Sequence, residues 1–144
     1  MALRDGQSAA QIIAELHDDI KLYEPTRGGR LKLLVSRKMV RLRPDMTREI
    51  CHVFKEAVIN ALKHSGATHI VATIMITDAL LEVSVTDNGV GITPDVVRTG
   101  LVGHWGIVGM RERLARLGSV LVIERNADGG TTLGFVLDIG DSYN

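Results

Sequence analysis

Residues 45–64 read DMTREICHVFKEAVINALKH and form the best-defined element of the chain. Apolar residues recur in this stretch at intervals of three and four, a pattern typical of an amphipathic helix that covers a sheet or another helix. Ser65-Gly66 follows and predicts the end of the helix. The apolar face consists of Ile50, Val53, Phe54, Ala57, Val58, Ala61 and Leu62.

The same helix carries polar residues along one edge of its apolar face. Because each helical residue turns by about 100°, Glu56, Asn60, Lys63 and His64 fall on one stripe. Any one of them alone would be read as the solvated edge of an amphipathic helix. Their joint occurrence, followed by a glycine-rich segment at residues 86–92, favours a binding site.

The segment Thr86-Asp87-Asn88-Gly89-Val90-Gly91-Ile92 ends a predicted strand with a carboxylate and two glycines. An ionised aspartate only accepts hydrogen bonds, which suits the exocyclic amine of adenine. The glycines leave room for a flat ring against the backbone. Asp-Asn-Gly is also a common turn signal, so the segment alone is weak support for a nucleotide site.

Composition limits the classes of protein to consider. The 144 residues fit one domain, and the core must be aliphatic because 45% of residues are hydrophobic but only 3% are aromatic. Lys and Arg balance Asp and Glu at 17 each, so no net charge favours a nucleic-acid partner. Cys51 is the only cysteine, which excludes an internal disulfide and a zinc cluster. No run of about 18 apolar residues occurs, and we expect a cytoplasmic domain without membrane contact.

The remaining patterns predict a helix-and-hairpin fold. Helices separated by antiparallel hairpins indicate an α+β class: a two-layer α/β sandwich whose mixed, mostly antiparallel sheet is covered on one face by helices. The absence of strict βαβαβ alternation argues against a Rossmann fold. The predicted elements are a helix over 9–22, a strand over 30–36, a short extended piece within 37–45, strands over 69–77 and 81–86, a loop over 88–105, a helix over 106–117, and a hairpin of 120–125 with 131–137.

A third glycine-rich segment reads Gly103-His104-Trp105-Gly106-Ile107-Val108-Gly109. Its glycines open a helix whose free N–H groups can hold phosphate. A structural helix start after a glycine-rich loop is the plain alternative, and glycine spacing of this kind is weak by itself. No Gly-x-x-x-x-Gly-Lys-Ser/Thr occurs in the chain, so a P-loop site is excluded.

Taken together, the segments resemble the ATP-binding catalytic domain of bacterial sensor histidine kinases. This domain has the Bergerat fold, shared with DNA gyrase, the heat-shock chaperone of the ninety-kilodalton class and the mismatch-repair ATPase. Residues 56–64 are similar to its N box, residues 87–91 to its first glycine box, residues 103–109 to its second, and Gly129-Gly130-Thr131 to its terminal Gly-Thr element. The run 106–118 looks like the branch related to nitrate-responsive sensor kinases.

The resemblance implies two ligands, ATP and Mg²⁺. Asp87 would hold the adenine amine, Gly89 and Gly91 would flank the base, and Thr131 would lie near the base pocket. Asn60 would bind Mg²⁺ through its amide oxygen, which is a suitable hard ligand.

The resemblance also implies residues that act on the phosphates. Glu56 would be the general base that draws a proton from the phosphate acceptor. Lys63 and the N–H groups near 106–109 would steady the phosphates, and the loop 92–105 would be a short ATP lid. His104 either contacts phosphate or caps the loop. Further nucleotide contacts implied by the boxes are His64, Ile92, Gly103, Gly106, Ile107, Val108 and Gly109.

The implied function is transfer of the γ-phosphoryl group of ATP to a histidine on a separate dimerisation domain, upstream of a response regulator. We expect residues 1–29 to be a lead-in segment with a helix, residues 30–140 the ATPase domain and residues 141–144 a tail. His17 lies in a sequence that imitates a phosphoacceptor box, but the 38 residues between it and Glu56 cannot hold two long helices. We therefore expect that His17 does not take phosphate.

Alternative functions remain within the same fold. An anti-sigma-type serine kinase would differ in its protein substrate, and a non-enzymatic ATP-binding module would lack the chemistry that Glu56, Asn60 and Asp87 suggest. A gyrase-like clamp needs a longer lid and a second domain. Other carboxylates, including Glu49 and Glu112, are predicted to lie on the surface, with Glu112 and Arg116 forming an i,i+4 pair.

Overall fold

The computed structural model describes residues 7–8, 31–35, 39–40, 42–90 and 106–140. The predicted helix over 9–22, including His17, and most of the predicted loop 88–105 lie outside these residues. The described elements are strands β1 (Gln7–Ser8), β2 (Leu31–Val35), β3 (Met39–Val40), β4 (Ile70–Thr77), β5 (Leu80–Asp87), β6 (Val122–Arg125) and β7 (Thr131–Asp138), and helices α1 (Pro44–His64) and α2 (Ile107–Arg116).

Five of the strands form one mixed sheet in the order β2-β4-β5-β7-β6. β2 runs parallel to β4, and the other neighbouring pairs are antiparallel. The predicted β4–β5 hairpin is confirmed, and it turns at Asp78, whose φ of 50° is the left-handed conformation that aspartate tolerates. β1 and β3 pair separately as a two-stranded antiparallel sheet, and β1 was not predicted.

The five-stranded sheet is buried on one face only. Alternate residues of β4 and β5 point inward and are buried, as the period of two predicts. On the opposite face Met75 is 43% exposed and Val136 is 49% exposed. α1 and α2 supply the second layer, with Phe54, Met110 and Leu114 in the core. The predicted two-layer sandwich with helices on one face is confirmed.

Both ends of α1 are defined by local chemistry. Pro44 is the first residue of the helix, where its missing N–H costs nothing. At the other end the Ser65 hydroxyl donates to the Ala61 carbonyl. The Ser65 carbonyl in turn accepts from Val90 N–H at 2.8 Å, so the end of α1 is attached to the segment that follows β5.

Phe54→Ala is expected to destabilise the fold by about 3–5 kcal/mol, the cost of a large cavity in a core. Phe54 is 0% exposed at the centre of α1. Urea unfolding followed by circular dichroism measures the loss. Val120→Ala is the control, because Val120 is 73% exposed and its truncation should leave the free energy of unfolding nearly unchanged. Equal stabilities for the two variants would contradict the assigned core.

Candidate nucleotide site

Asp87 is the last residue of β5 and lies where three elements meet. It pairs with Ile70 at the start of β4, and it adjoins Thr131 at the start of β7. Its side chain points to the inner face, and the residue is only 6% exposed. The Gly89 N–H donates to its Oδ1 at 2.9 Å, and the Thr131 backbone N–H also donates to the carboxyl group. The carboxylate is therefore an acceptor that is held in position and has little exposure to solvent.

Burial raises the pKa of Asp87 above its ordinary value of 3.8. The backbone hydrogen bonds from Gly89 and Thr131 act in the opposite direction, and the negative charge of Asp128 adds to the rise. Because the pKa is higher in the folded state, protonation of Asp87 contributes to the stability of the fold. This contribution is complete below pH 3.8 and is lost as the pH rises through the raised pKa. Above the raised pKa the buried group is ionised at a cost to stability, and perturbed pKa values of this kind are common at binding sites.

Two glycines allow the backbone to close around Asp87. A Cβ on Gly89 would lie 2.0 Å from the Ser65 carbonyl oxygen, and a Cβ on Gly130 would lie 2.0 Å from the Asp87 carbonyl oxygen. No side chain can occupy either position without moving the backbone. The structure thus gives Gly89 a packing reason, and its contact with a base stays a prediction.

Asn88 supports the same junction from behind, a role that the turn-like sequence did not reveal. Its Oδ1 accepts from the backbone N–H groups of Thr68 and His69, both at 3.0 Å. Its Nδ2 donates to the Thr68 hydroxyl at 3.0 Å. These bonds join the loop between α1 and β4 to the end of β5, and so they fix the backbone that carries Asp87.

The polar stripe of α1 ends at His64, directly before Ser65, whose carbonyl contacts this junction. Asn60 is 2% exposed and Glu56 is half-buried, whereas Lys63 is exposed. His64 is the last residue of the helix, and its side chain lies outside the described part of the structure. Asn60 is thus a buried amide near the end of α1. Ser65, which follows the last residue of the helix, is the residue in contact with Val90.

Glu56 contacts the start of α2. A Cβ on Gly106 would lie 2.6 Å from Glu56 Oε1, so the two residues are in contact. Gly106 has φ 62°, a conformation that favours glycine. Gly106 is the N-cap residue just before α2, and its carbonyl accepts from Met110 N–H at 3.1 Å. The structure therefore brings together the predicted base and the predicted phosphate-binding helix start.

The other predicted residues of the second glycine box divide into two groups. The side chain of Ile107 is fully buried in the core, so only the backbone of this residue can contribute to a site at the start of α2. Val108 is 42% exposed and Gly109 is exposed. Gly91, Ile92, Gly103, His104 and the predicted lid 92–105 lie outside the described residues.

An ion-pair network that the sequence did not predict joins α1 to α2. Glu49, expected on the surface, has a side chain only 11% exposed and accepts from Arg113 Nη1 at 2.8 Å and from Arg116 Nη1 at 2.9 Å. Burial acts to raise the pKa of Glu49, but the two arginines outweigh it and the pKa is lowered. Arg116 bonds Glu49 here, whereas the predicted partner was Glu112.

Two absences hold for the described ranges. Within them no three His, Cys, Asp or Glu side chains come together as a possible metal site. Neither α1 nor α2 carries an apolar stretch of the length and hydropathy needed to cross a bilayer.

The chain is similar in sequence to known proteins. Residues 45–141 match the family described as histidine kinase-, DNA gyrase B-, and HSP90-like ATPase. The nitrate/nitrite sensor protein NarX of Escherichia coli K12 is 34% identical over 82 residues, which cover 57% of this chain and 13% of NarX. The nitrate/nitrite sensor protein NarQ of the same strain is 30% identical over 123 residues, which cover 85% of this chain and 21% of NarQ. The chain thus spans only a small part of these relatives.

A solved structure supports the fold. The histidine kinase domain of the Erythrobacter litoralis EL346 blue-light activated histidine kinase superposes with a TM-score of 0.72 at 21% identity. The match covers 99% of this chain and 72% of that one. At this identity the likeness concerns the fold alone, and it agrees with the sheet order and helix layer described above.

Gly89→Ala is expected to destabilise the fold by about 1–3 kcal/mol, because the added methyl group meets the Ser65 carbonyl. Gly109→Ala is the matched control: nothing lies within 4 Å of its added methyl group, and alanine in a helix should stabilise by up to about 1 kcal/mol. Urea unfolding of both variants tests the difference. Gly89→Ala at least as stable as Gly109→Ala would contradict the tight junction at Asp87.

Proposed function

This chain belongs to the histidine kinase-, DNA gyrase B-, and HSP90-like ATPase family, and we propose that it is the ATP-binding domain of a sensor histidine kinase that donates the γ-phosphoryl group to a histidine on another domain. Its similarity to NarX and NarQ supports this function within the family. Because the chain spans 13% of NarX and 21% of NarQ, the activity of the whole protein is itself part of the proposal.

The buried carboxylate of Asp87 is the observation that carries the proposal. An acceptor held by Gly89 and Thr131 at the end of a strand matches a donor such as the exocyclic amine of adenine. Burial raises the pKa of this group, so its ionised form is costly in the fold without a ligand to use it. Adenine recognition by Asp87, with Thr131 beside the base, accounts for the cost.

Glu56 and Asn60 have the chemistry for the metal and the proton. We propose that the Asn60 amide oxygen binds Mg²⁺, which would neutralise charge on the phosphates when it is bound. Glu56 would accept the proton of the acceptor imidazole as its nitrogen forms a bond to the γ-phosphorus and ADP leaves. Glu56 touches Gly106, the N-cap residue of α2, so the proposed base adjoins the proposed phosphate site.

The start of α2 has the chemistry to hold the phosphates. The backbone N–H groups over 106–109 lie at a helix N-terminus, where the dipole favours anions. Lys63 would add a positive charge from the exposed side of the α1 stripe. His64, Ile92, Gly103 and His104 complete the set of proposed nucleotide contacts from the family's boxes.

The proposed domain spans residues 30–140, with residues 1–29 as a lead-in and residues 141–144 as a tail. Its partners would be a dimerisation domain that carries the acceptor histidine and a response regulator that takes the phosphoryl group from it. A domain that uses ATP as donor is expected on the cytoplasmic side, where ATP is supplied. Catalysis would consist mainly of positioning and charge neutralisation.

Asp87→Asn is expected to abolish ATP binding, because an amide cannot present the same pair of acceptor oxygens to the adenine amine. Isothermal titration of Mg-ATP into the 144-residue chain measures the affinity. In the wild type, binding should also weaken as the pH falls through the raised pKa of Asp87, since only the ionised form is the proposed acceptor. Unchanged affinity in Asp87→Asn, or affinity that does not fall with pH, would remove Asp87 from adenine recognition.

Glu56→Gln is expected to keep Mg-ATP binding but to slow phosphoryl transfer by about 10²–10⁴-fold, the usual contribution of a general base. The assay follows transfer from radiolabelled ATP to a purified dimerisation domain of the parent protein. Glu112→Gln is the matched control, because it neutralises an exposed carboxylate of α2. Full transfer by Glu56→Gln would show that another group takes the proton.

A further inference from the structure

The stripe that carries Glu56 and Asn60 continues toward the start of α1. Glu49, His52, Glu56 and Asn60 follow one another at spacings of three and four, so they lie along one side of the helix. Glu49 at the far end is the residue that Arg113 and Arg116 bind. The proposed catalytic stripe and the ion-pair network are therefore parts of one surface, along which α2 lies.

α2 meets this surface at two points with matching spacing. Gly106 adjoins Glu56, and Arg113 bonds Glu49. On each helix the two contact residues are about two turns, or roughly 10 Å, apart. Along the chain Glu49 precedes Glu56 whereas Arg113 follows Gly106, so the helices run in opposite directions. The Glu49–Arg113 bond thus sets the position along α1 at which α2 begins.

The network adds directional bonds to the apolar contact between the two helices. Ile107, Met110 and Leu114 attach α2 to the core, but apolar contact is non-directional and permits sliding or rotation. In contrast, each oxygen of Glu49 accepts from a different arginine, at 2.8 and 2.9 Å. Charge-assisted hydrogen bonds of this kind are strong and specific in geometry.

His52 is affected by charges from both ends of this surface. His52 lies between Glu49 and Glu56 and is exposed at the surface. Desolvation is the main reason that the pKa of His52 is lowered; Arg113 lowers it further, while Glu56 and Glu49 raise it. Arg113 is therefore close enough to act on the same histidine as the proposed base.

We propose that Glu49, Arg113 and Arg116 are positioning residues for the nucleotide phosphates. They hold α2 in the register that places its first backbone N–H groups beside Glu56. This inference rests on the proposed function, because the position of α2 matters for phosphate binding only if the phosphates bind at residues 106–109. It predicts a loss confined to the phosphate end of the ligand, because Asp87 recognises the adenine end independently.

The test compares two ligands in the 144-residue chain. Glu49→Gln keeps the shape of the side chain and removes its charge, and we expect it to weaken Mg-ATP binding by about tenfold while adenosine binding changes by less than about twofold. Arg116→Gln should also weaken Mg-ATP binding, but by a smaller factor, because the Arg116 side chain is 62% exposed. For the same reason this substitution should not disrupt the fold. Calorimetry below the melting temperature of each variant provides the affinities.

Asp45→Asn is the matched control. It also neutralises a carboxylate of α1, but the side chains of Asp45 and its partner Arg43 are both 62% exposed. The distance from Arg43 Nε to Asp45 Oδ1 is 3.5 Å. This variant should bind Mg-ATP and adenosine as the wild type does.

The outcomes separate this inference from the proposed function. Wild-type chain that binds no Mg-ATP would overturn the proposed function. Wild-type binding with unchanged Mg-ATP affinity in both Glu49→Gln and Arg116→Gln would overturn the positioning role alone. Equal weakening of Mg-ATP and adenosine would also overturn it, since that result is expected of a merely structural ion pair. Selective loss of Mg-ATP affinity supports it.

Discussion

The buried carboxylate of Asp87 is the constraint on which the site depends. It is placed by the end of β5, held by N–H groups from Gly89 and Thr131, and enclosed by backbone that only glycine at positions 89 and 130 permits. Three separate parts of the chain must be in place for this acceptor to exist. The fold therefore builds the proposed adenine end of the site into its sheet, where burial raises the pKa of the acceptor and makes its ionised form costly.

The proposed phosphate end is built differently, from the contact of two helices. Its parts come from α1 and from the start of α2, and they meet only if the two helices keep one register. Apolar packing alone would leave that register loosely set, and the bonds from Arg113 and Arg116 to Glu49 define it.

Much of this architecture could be predicted from the sequence, for physical reasons. α1 and the β4–β5 hairpin have strong periods, and Asp87 stands out because a carboxylate and glycines follow an alternating strand. The bonds of Glu49 could not be predicted, since its partners lie 64 and 67 residues away and no local pattern marks them. Likewise, the two-residue strand β1 is too short to show a period.

The most direct test of the account is two-dimensional proton–nitrogen NMR of the 144-residue chain during titration with Mg-ADP. The amides of Gly89 and Thr131 donate to Asp87, so both signals should shift and saturate together, while the amide of Asp78 at the opposite end of the hairpin stays in place. Saturable binding that leaves Gly89 and Thr131 unshifted would show that the nucleotide is recognised elsewhere, and the central claim would be wrong.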